Sequence, residues 1–417
     1  MKISRRGFLW GGAAAAAGTC LPWFDQIAAA QGREGKNLIV VFAAGGWDAT
    51  AHLDPKLDLE TVDSAPGDLK VYRDLSVLTH TDRPAVLDFY RSYAEISCIA
   101  RGIEVRSIAH EECTKRIFTG TNSASNPDLG AVVGNRAGSE RAVPYMVLGN
   151  TAYPGPFAGT TGRTGISGQL VTLLDPAGAY PDPNGRPRSP FVPDDAERNL
   201  IEAYIADRGE RDLAARGHGA SGQRLRDYLS ARPRAIELEK LAAGFGERTF
   251  QLELGAQMDL AVRFLKEGMS KAILVEDDAE WDTHNDNHEQ QARNLQHLYS
   301  ALSGLARRLE EERMLDNTVV VVISEMSRTP KLNENRGKDH WPVTSALLFG
   351  AGVKGGAAVG ATNELAESVP VNMPDGKPNE NGKPVSSANF VAGVLSALDI
   401  DASDLLPGVE PLGGMFA

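Results

Sequence analysis

The sequence predicts an α/β protein with a mainly parallel central sheet and helices on both faces. Six short segments are almost continuously apolar and rich in Val, Ile and Leu, which is typical of strands buried on both sides. Helical periodicity in the stretches between them indicates repeated strand–helix–strand units. The predicted strands lie within residues 37–48, 95–103, 144–149, 271–277, 318–324 and 345–352. The predicted helices are 84–94, 110–119, 195–207, 222–244, 249–267, 286–314 and 387–398.

Composition supports a globular fold and argues against a nucleic-acid partner. The chain has 417 residues, of which 42% are hydrophobic and 24% are charged, enough for a sizeable core. Its formal net charge is −12, so its surface repels nucleic acid and anionic lipid. We therefore expect no nucleic-acid role.

The first thirty residues read as a twin-arginine export signal. Arg5 and Arg6 precede a short alanine-rich run, and the small residues Ala28 and Ala30 precede Gln31, where cleavage is expected. The run is shorter than the roughly 20 residues of a membrane span, although a buried helix or an anchor remains an alternative. This predicts the twin-arginine translocase as a partner and a periplasmic or extracellular location.

The remaining residues, 31–417, are predicted to form a single domain with one insertion at about 151–245. The stretch from about 151 to 220 is rich in Gly, Pro, Arg and Asp, and "YPDPNGRPRSPFVPDD" is its most irregular part. A glycine-rich segment at 352–360, "GVKGGAAVG", lacks the features of a phosphate-binding loop and is interpreted as a turn-rich crossover.

Carboxylates and imidazoles follow several of the predicted strands. Ligands of open α/β sheets bind beyond the carboxyl ends of the strands, so these side chains should converge. Asp48 alone would be interpreted as a helix cap and His288 as a solvated residue. Together, the set favours a divalent metal ion, namely zinc, calcium, manganese or iron. The candidate ligands are Asp48, Asp282, His284, Glu325, Asp339 and His340.

Four motifs in order give the sequence a family resemblance. "GGWD" (45–48), "WDTH" (281–284), "SEMSRTP" (324–330) and "KDH" (338–340) span most of the chain after residue 30. Together with the run "LYSALSGLARRLEEERMLDNTVVVVISE", they resemble the alkaline phosphatase and sulfatase superfamily. Within it, the chain looks most like a twin-arginine-exported family, domain of unknown function 1501.

The resemblance implies roles for individual residues. Asp48 falls at the superfamily's first metal carboxylate, Asp282 and His284 at its middle ligand pair, and His340 at its late histidine ligand, with Asp339 beside it. Glu325 stands at the aspartate of a strand-end Asp-His pair, and Met326 stands at the histidine, which removes one ligand.

The position of the superfamily's nucleophile is occupied by a histidine. Counting back nine residues from Thr119 places His110 where a Ser, Thr or Cys is usual, at the start of a helix whose free N–H groups favour an anion. Histidine can attack phosphorus, ligate a metal or transfer a proton, and Ser107 is an alternative one turn earlier. Arg328 or Lys338 would balance charge on the transferred group.

These residues predict an exported, metal-dependent hydrolase of a phosphate or sulfate ester, small or polymeric, with His110 and Arg328 as its catalytic residues. The alternative is a catalytically degenerate member that acts as an exported binding or assembly protein. Cys98 and Cys113 are compatible with either a disulfide bond or two buried thiols.

Overall fold

A computed structural model describes residues 35–163, 195–242 and 253–417 of the chain. The predicted signal peptide lies outside the described residues, as do residues 164–194 and 243–252, which include parts of the predicted insertion. The described part of that insertion comprises a 3-10 helix (Gly155–Thr160), a short edge strand and two helices. Within the described ranges, no helix combines the length and apolar content needed to cross a membrane.

The described chain contains fifteen strands and eight α-helices. The strands are β1 (Asn37–Ala43), β2 (Asp68–Tyr72), β3 (Leu75–Thr79), β4 (Ser97–Glu104), β5 (Tyr145–Val147), β6 (Thr161–Arg163), β7 (Ala272–Asp277), β8 (Thr318–Ile323), β9 (Ser327–Arg328), β10 (His340–Trp341), β11 (Val343–Gly350), β12 (Ala357–Val359), β13 (Val371–Asn372), β14 (Lys377–Pro378) and β15 (Val385–Ser386). The helices are α1 (Pro84–Tyr93), α2 (His110–Thr119), α3 (Leu129–Ala137), α4 (Asp195–Arg216), α5 (Gly219–Ala242), α6 (Leu254–Lys266), α7 (Asn287–Glu311) and α8 (Ser387–Ala397).

Nine of the strands form one central sheet in the order β12-β4-β11-β8-β1-β7-β5-β6, with β15 also paired to β4. Strand β1 is parallel to both of its neighbours, β7 and β8. Strand β11 is antiparallel to both β4 and β8, so it alone is reversed within this order. The start of β11 therefore lies at the same edge as the ends of β1, β4, β7 and β8, and this edge carries the candidate site.

Side chains on the two faces of β1 enter two separate cores. Ile39 and Val41 belong to a core that includes buried residues of α1, α6 and α7. Leu38 and Val40 belong to a second core, which includes buried residues of α2, α3 and α8. Because successive residues of a strand point to opposite faces, an unbroken apolar strand requires helices on both sides. The predicted layered α/β fold is thus confirmed.

All six predicted strands and all seven predicted helices have counterparts in the structure, and α2 has the predicted bounds. Helix α3 and the β2–β3 hairpin were not predicted. Residues 352–360, interpreted as a turn-rich crossover, contain turns and also a strand that was not predicted, β12, which pairs in parallel with β4. With only three residues, "AAV", β12 is too short to show a strand pattern.

Candidate metal centre

Four segments meet at the edge where β4, β7 and β8 end and β11 begins. Helix α2 starts six residues after β4, and a turn without regular structure follows β7. The segment before β11 arrives through β10, which pairs with β9 directly after β8. These segments carry His110, Asp282, His284, Glu325, Asp339 and His340.

Three histidines surround the carboxylate of Asp282. His284 Nε2 and His340 Nε2 each lie 3.1 Å from Asp282 Oδ1, and His110 Nε2 lies 3.4 Å from Oδ2. The two Nε2 atoms of His284 and His340 are also 3.1 Å apart. Ligand atoms of His110, Asp282 and His340 all lie within 4.8 Å of one another, the spacing of a group that can hold a metal ion. We refer to His110, Asp282, His284 and His340 as the His/Asp cluster.

Each of these histidines is anchored through its other ring nitrogen. His110 Nδ1 lies 2.7 Å from Glu325 Oε1, His284 Nδ1 lies 3.0 Å from Asp339 Oδ1, and His340 Nδ1 lies 2.6 Å from the carbonyl oxygen of Ile108. Ionised carboxylates and carbonyls only accept hydrogen bonds, so each Nδ1 carries the proton. A metal-ligating histidine characteristically has such an acceptor behind it.

With each Nδ1 engaged by an acceptor, three Nε2 atoms are left to face one carboxylate. In a neutral imidazole that carries its proton on Nδ1, Nε2 offers a lone pair that can bind a cation. A cation beside these Nε2 atoms and Asp282 would stabilise this arrangement. Three imidazole nitrogens and one carboxylate oxygen are a donor set that zinc and related transition metals prefer.

Arg328 holds Asp282 from the buried side. Its Nη2 atom donates to Asp282 Oδ1 at 2.6 Å, and its Nε donates to the carbonyl of Gly46 at 2.7 Å. Burial favours the neutral acid, but the guanidinium outweighs it and lowers the pKa of Asp282 to about 2. Asp282 is therefore ionised at neutral pH. The Arg328 side chain has no exposed surface and lies behind the Asp282 carboxylate.

Glu325 occupies the corresponding place behind His110. It is 2% exposed, and its two carboxylate oxygens accept from the backbone N–H of Gly45 at 2.9 and 3.1 Å. The hydrogen bond to Glu325 raises the pKa of His110 above its ordinary value, although burial opposes it. The carboxylate at the tip of β8 thus joins the turn after β1 to the histidine at the start of α2.

The turn after β1 needs glycine for close packing. Gly45 has a φ of +123°, and a Cβ there would lie 2.9 Å from the backbone nitrogen of Asp282. Gly46 has a φ of +87°, and its Cβ would lie 2.9 Å from Met326 Cγ. Both positions combine a left-handed backbone with contacts that admit no side chain.

The chain matches one known family over most of its length. Residues 35–411 match a family model described as a protein of unknown function, DUF1501. The chain belongs to the DUF1501 family. No curated protein matches this DUF1501 chain.

Solved structures similar to the DUF1501 chain include members of the alkaline phosphatase superfamily. A lipoteichoic acid synthase from Listeria monocytogenes is 9% identical, with 91% of this chain and 74% of that chain covered and a TM-score of 0.40. A protein in the alkaline phosphatase superfamily from Vibrio parahaemolyticus is 10% identical, with 90% and 69% covered and a TM-score of 0.40. An alkaline phosphatase from the Antarctic bacterium TAB5 is 11% identical, with 78% and 94% covered and a TM-score of 0.35.

The structure does not bring Asp48 of the DUF1501 chain to the cluster. Asp48 is fully buried, and its Oδ2 atom lies 2.8 Å from Lys338 Nζ, which is also fully buried. Burial acts to raise the pKa of Asp48, but Lys338, Thr50 and Asn287 together hold it below its usual range. The cap interpretation of Asp48 applies, since its carboxylate accepts from the backbone of Thr50 at the start of a 3-10 helix (Ala49–Ala51). Lys338, expected to face a transferred group, instead faces Asp48.

Glu325 and Asp339, predicted as ligands, contact histidines of the cluster. They hold His110 and His284, respectively, by the ring nitrogen that faces away from Asp282. The hydrogen bond from His284 lowers the pKa of Asp339. These two carboxylates orient the cluster, and the ligand assignment itself stays a prediction for the DUF1501 chain.

Other residues considered from the sequence lie apart from the cluster. His288 Nε2 lies 3.2 Å from the carbonyl of Asp63, and Met326 is buried in the second core. Ser107 donates to Glu112 Oε2 at 2.9 Å. Cys98 and Cys113 are both buried as free thiols.

Sequence reasoning missed the residues that lie beneath the His/Asp cluster. Thr283, Asn287 and Gln291 are each at most 1% exposed. Thr283 stands inside the "WDTH" motif, between two cluster residues. The position of Thr283 between two cluster residues was the only signal in the sequence. Asn287 and Gln291 gave none, because Asn and Gln on a helix usually face solvent.

Proposed function

We propose that this DUF1501 chain is a metal-dependent hydrolase of phosphate or sulfate esters. The observation that carries the proposal is the His/Asp cluster, where three anchored imidazoles turn Nε2 toward one ionised carboxylate. The reaction would consume one water, whose oxygen bonds to phosphorus or sulfur. The ester oxygen would leave as an alcohol after taking up a proton.

His110, Asp282, His284 and His340 would hold the ion. The nitrogen-rich donor set favours zinc, manganese or iron over calcium, which prefers oxygen ligands. When bound, such an ion polarises an ester oxygen and lowers the pKa of a water molecule. Asp339, Glu325 and Arg328 keep three of the ligands in place.

The start of α2 suits the charged group of the ester. Ala109 occupies the N-cap position and offers no capping side chain to the first turn. Unpaired N–H groups and the helix dipole favour an anion at this end, next to His110. The two glutamates of the first turn are paired, Glu111 with Lys115 and Glu112 with Ser107.

Attack is assigned to water. The Ser107 hydroxyl donates to Glu112 and accepts from the backbone N–H of Ala109 at 3.2 Å, so both its proton and its oxygen are already engaged. His110 Nε2 faces Asp282, and its Nδ1 proton is held by Glu325. His110 would therefore help to hold the ion through Nε2, while Glu325 keeps the proton on Nδ1.

The two consecutive arginines, Arg5 and Arg6, support the proposal that the enzyme works outside the cytoplasm. Twin-arginine export would involve the translocase as a transient partner and would deliver the folded chain to the periplasm or beyond. Esters available there, small or polymeric, are the proposed substrates.

The test uses protein produced with its native first thirty residues. Metal content would be measured by elemental analysis, and hydrolysis would be followed on phosphate monoesters, phosphate diesters and sulfate esters. We expect stoichiometric metal and turnover of at least one ester class. The double variant His284→Ala/His340→Ala should lose both, whereas His297→Ala, which alters an exposed histidine on α7, should lose neither.

The alternative function, a binding or assembly protein, is favoured by Met326 and His110, which replace a ligand and the usual nucleophile of the superfamily. Stoichiometric metal without hydrolysis across all three ester classes would overturn the enzyme proposal and support this alternative. The binding partner would then be sought with the metal-loaded chain.

A further inference from the structure

A buried polar network lies directly beneath the His/Asp cluster. It consists of Asp48, Thr283, Asn287, Gln291 and Lys338, each at most 1% exposed. Buried polar groups are costly unless they are hydrogen-bonded, and a complete network fixes one arrangement of its members.

The carboxylate of Asp48 is the centre of this network. Its Oδ2 atom accepts from Lys338 Nζ and Asn287 Nδ2, both at 2.8 Å. Its Oδ1 atom accepts from the Thr50 hydroxyl at 2.6 Å and from the Thr50 backbone N–H at 3.0 Å. Lys338 Nζ also lies 3.3 Å from the Thr50 hydroxyl. Both oxygens are therefore saturated, and the negative charge is balanced by one ammonium.

The network is interleaved with the cluster along the chain. Thr283 separates Asp282 from His284, and its hydroxyl donates to Asn287 Oδ1 at 2.6 Å and accepts from Gln291 Nε2 at 3.0 Å. Thr283 is buried, whereas Asp282 is exposed and His284 is partly exposed, so Thr283 points inward while its neighbours point to the site.

The second ligand segment also turns one side chain inward. Lys338 is buried, whereas Asp339 and His340 after it are exposed and partly exposed. The backbone N–H of Lys338 donates to the carbonyl of Thr283 at 3.1 Å. The Lys338 carbonyl accepts from Arg328 Nη1 at 3.3 Å. The inward side chains of both segments thus meet at Asp48, while the outward side chains meet at the cluster.

We propose that the buried polar network is the positioning device of a one-ion centre, in which the Lys338 ammonium takes the place beside Asp48 that a second cation would need. This inference rests on the proposed function, since it concerns the same site. A second ion at Asp48 would have to displace a fully buried lysine whose charge is already paired. Within the described ranges, a single group of ionisable side chains has the spacing of a metal site.

The test is the double variant Asp48→Asn/Lys338→Met. It removes both charges together, so no uncompensated charge stays buried, and it approximately conserves volume. We expect the wild-type chain to bind one zinc ion, and the variant to bind zinc about 10- to 100-fold more weakly, the usual loss for residues behind metal ligands. The visible absorption spectrum of the cobalt(II)-substituted protein should also change, which reports ligand geometry.

A milder variant and a control accompany it. Thr283→Val deletes only the hydroxyl and decides the question if the double variant does not fold; we expect weaker zinc binding and an altered cobalt spectrum. Asp128→Asn changes another fully buried carboxylate, the N-cap of α3, and should keep the wild-type affinity and spectrum.

Two zinc ions per wild-type chain, or no zinc, would overturn the inference. Unchanged affinity and spectrum in the folded double variant, or in Thr283→Val, would also overturn it. One tightly bound ion that the double variant binds weakly, in a protein that hydrolyses no ester, would overturn the proposed function and leave the positioning role supported.

Discussion

The Nε2 atoms of His284 and His340 lie 3.1 Å apart, and each lies 3.1 Å from the same oxygen of Asp282. Their Nδ1 atoms face Asp339 and the carbonyl of Ile108, so the protons lie on the far side of both rings. When both imidazoles are neutral, two unprotonated nitrogens meet at one carboxylate, and a bound cation stabilises such an arrangement.

Removing the metal should lower the stability of the folded chain. A ligand that binds only the native state stabilises it by about 3 kcal/mol when present at a hundredfold excess over its Kd. We expect chelation to lower the melting temperature and added zinc to restore it, as measured by calorimetry. The His284→Ala/His340→Ala variant should show neither change, and a wild-type chain indifferent to chelator would contradict the metal centre.

Glu325→Gln should weaken metal binding without unfolding the protein. Glutamine keeps an acceptor for the Gly45 N–H but loses the charge that holds the His110 Nδ1 proton. We expect zinc affinity to fall about tenfold, as for other residues behind a ligand, in a competition titration with a chromophoric chelator. The exposed Glu364→Gln serves as the control. Equal affinities for the two variants would exclude the anchoring role.

Gly45→Ala should destabilise the fold, whereas Gly304→Ala should not. An alanine at position 45 would have a disfavoured φ of +123°. Its Cβ would lie 2.9 Å from the backbone nitrogen of Asp282. Such strain costs about 1–3 kcal/mol. Gly304 lies within α7 with nothing within 4 Å of its Cβ, so alanine there should stabilise by up to about 1 kcal/mol. Urea unfolding would compare the two, and equal midpoints would refute the packing argument.

His52 should make the protein less stable as the pH falls below its ordinary titration range. Burial lowers the pKa of His52 to about 3, although the Asp48 carboxylate opposes the shift. Between about pH 6.5 and pH 3, the unfolded chain binds a proton that the folded chain refuses. The stability contributed by neutral His52 is therefore complete above pH 6.5 and is lost by up to roughly 1.4 kcal/mol per pH unit below it.

His52→Phe tests this pH dependence, because phenylalanine keeps an aromatic ring between Trp47 and Tyr299 but cannot bind a proton. Urea unfolding at pH 7 and pH 5 should show a smaller loss for the variant than for the wild type. Tyr299→Phe removes the hydroxyl 3.2 Å from His52 Nδ1 and should keep the wild-type pH dependence. Identical pH dependence in His52→Phe and wild type would show that His52 does not cause it.

Much of the fold could be predicted because its signals are local. The run "TVVVVI" of β8 is apolar at every position, and "NLIVVFA" of β1 contains only one polar residue, so each requires cover on both faces. Helix α2 was predicted because its apolar residues recur at helical spacing before Gly120, where a φ of +74° ends it. The reversal of β11 has no local signal, since a buried strand has the same pattern in either direction.

The candidate site was predicted as a set of residues, but not as a geometry. The convergence of His110, Asp282, His284 and His340 followed from strand ends and motif order. One carboxylate lies among the histidines and others contact them from behind. This arrangement depends on contacts between segments up to 215 residues apart, such as His110 with Glu325. Asp48 shows the difference most clearly, because its partner Lys338 is known only once the chain is folded.

By itself, the sequence determined the α/β class, the edge that carries the site and the membership of Asp282 and the three histidines. These depend on periodicity and on motif order, both of which are written along the chain. Only the tertiary structure decided that Glu325, Asp339 and Arg328 orient those residues while Asp48 and Lys338 pair beneath them. An aspartate, glutamate or lysine is the same residue in the sequence whether it orients a ligand or pairs with another charge. Its role depends on the charges and the water that surround it after folding.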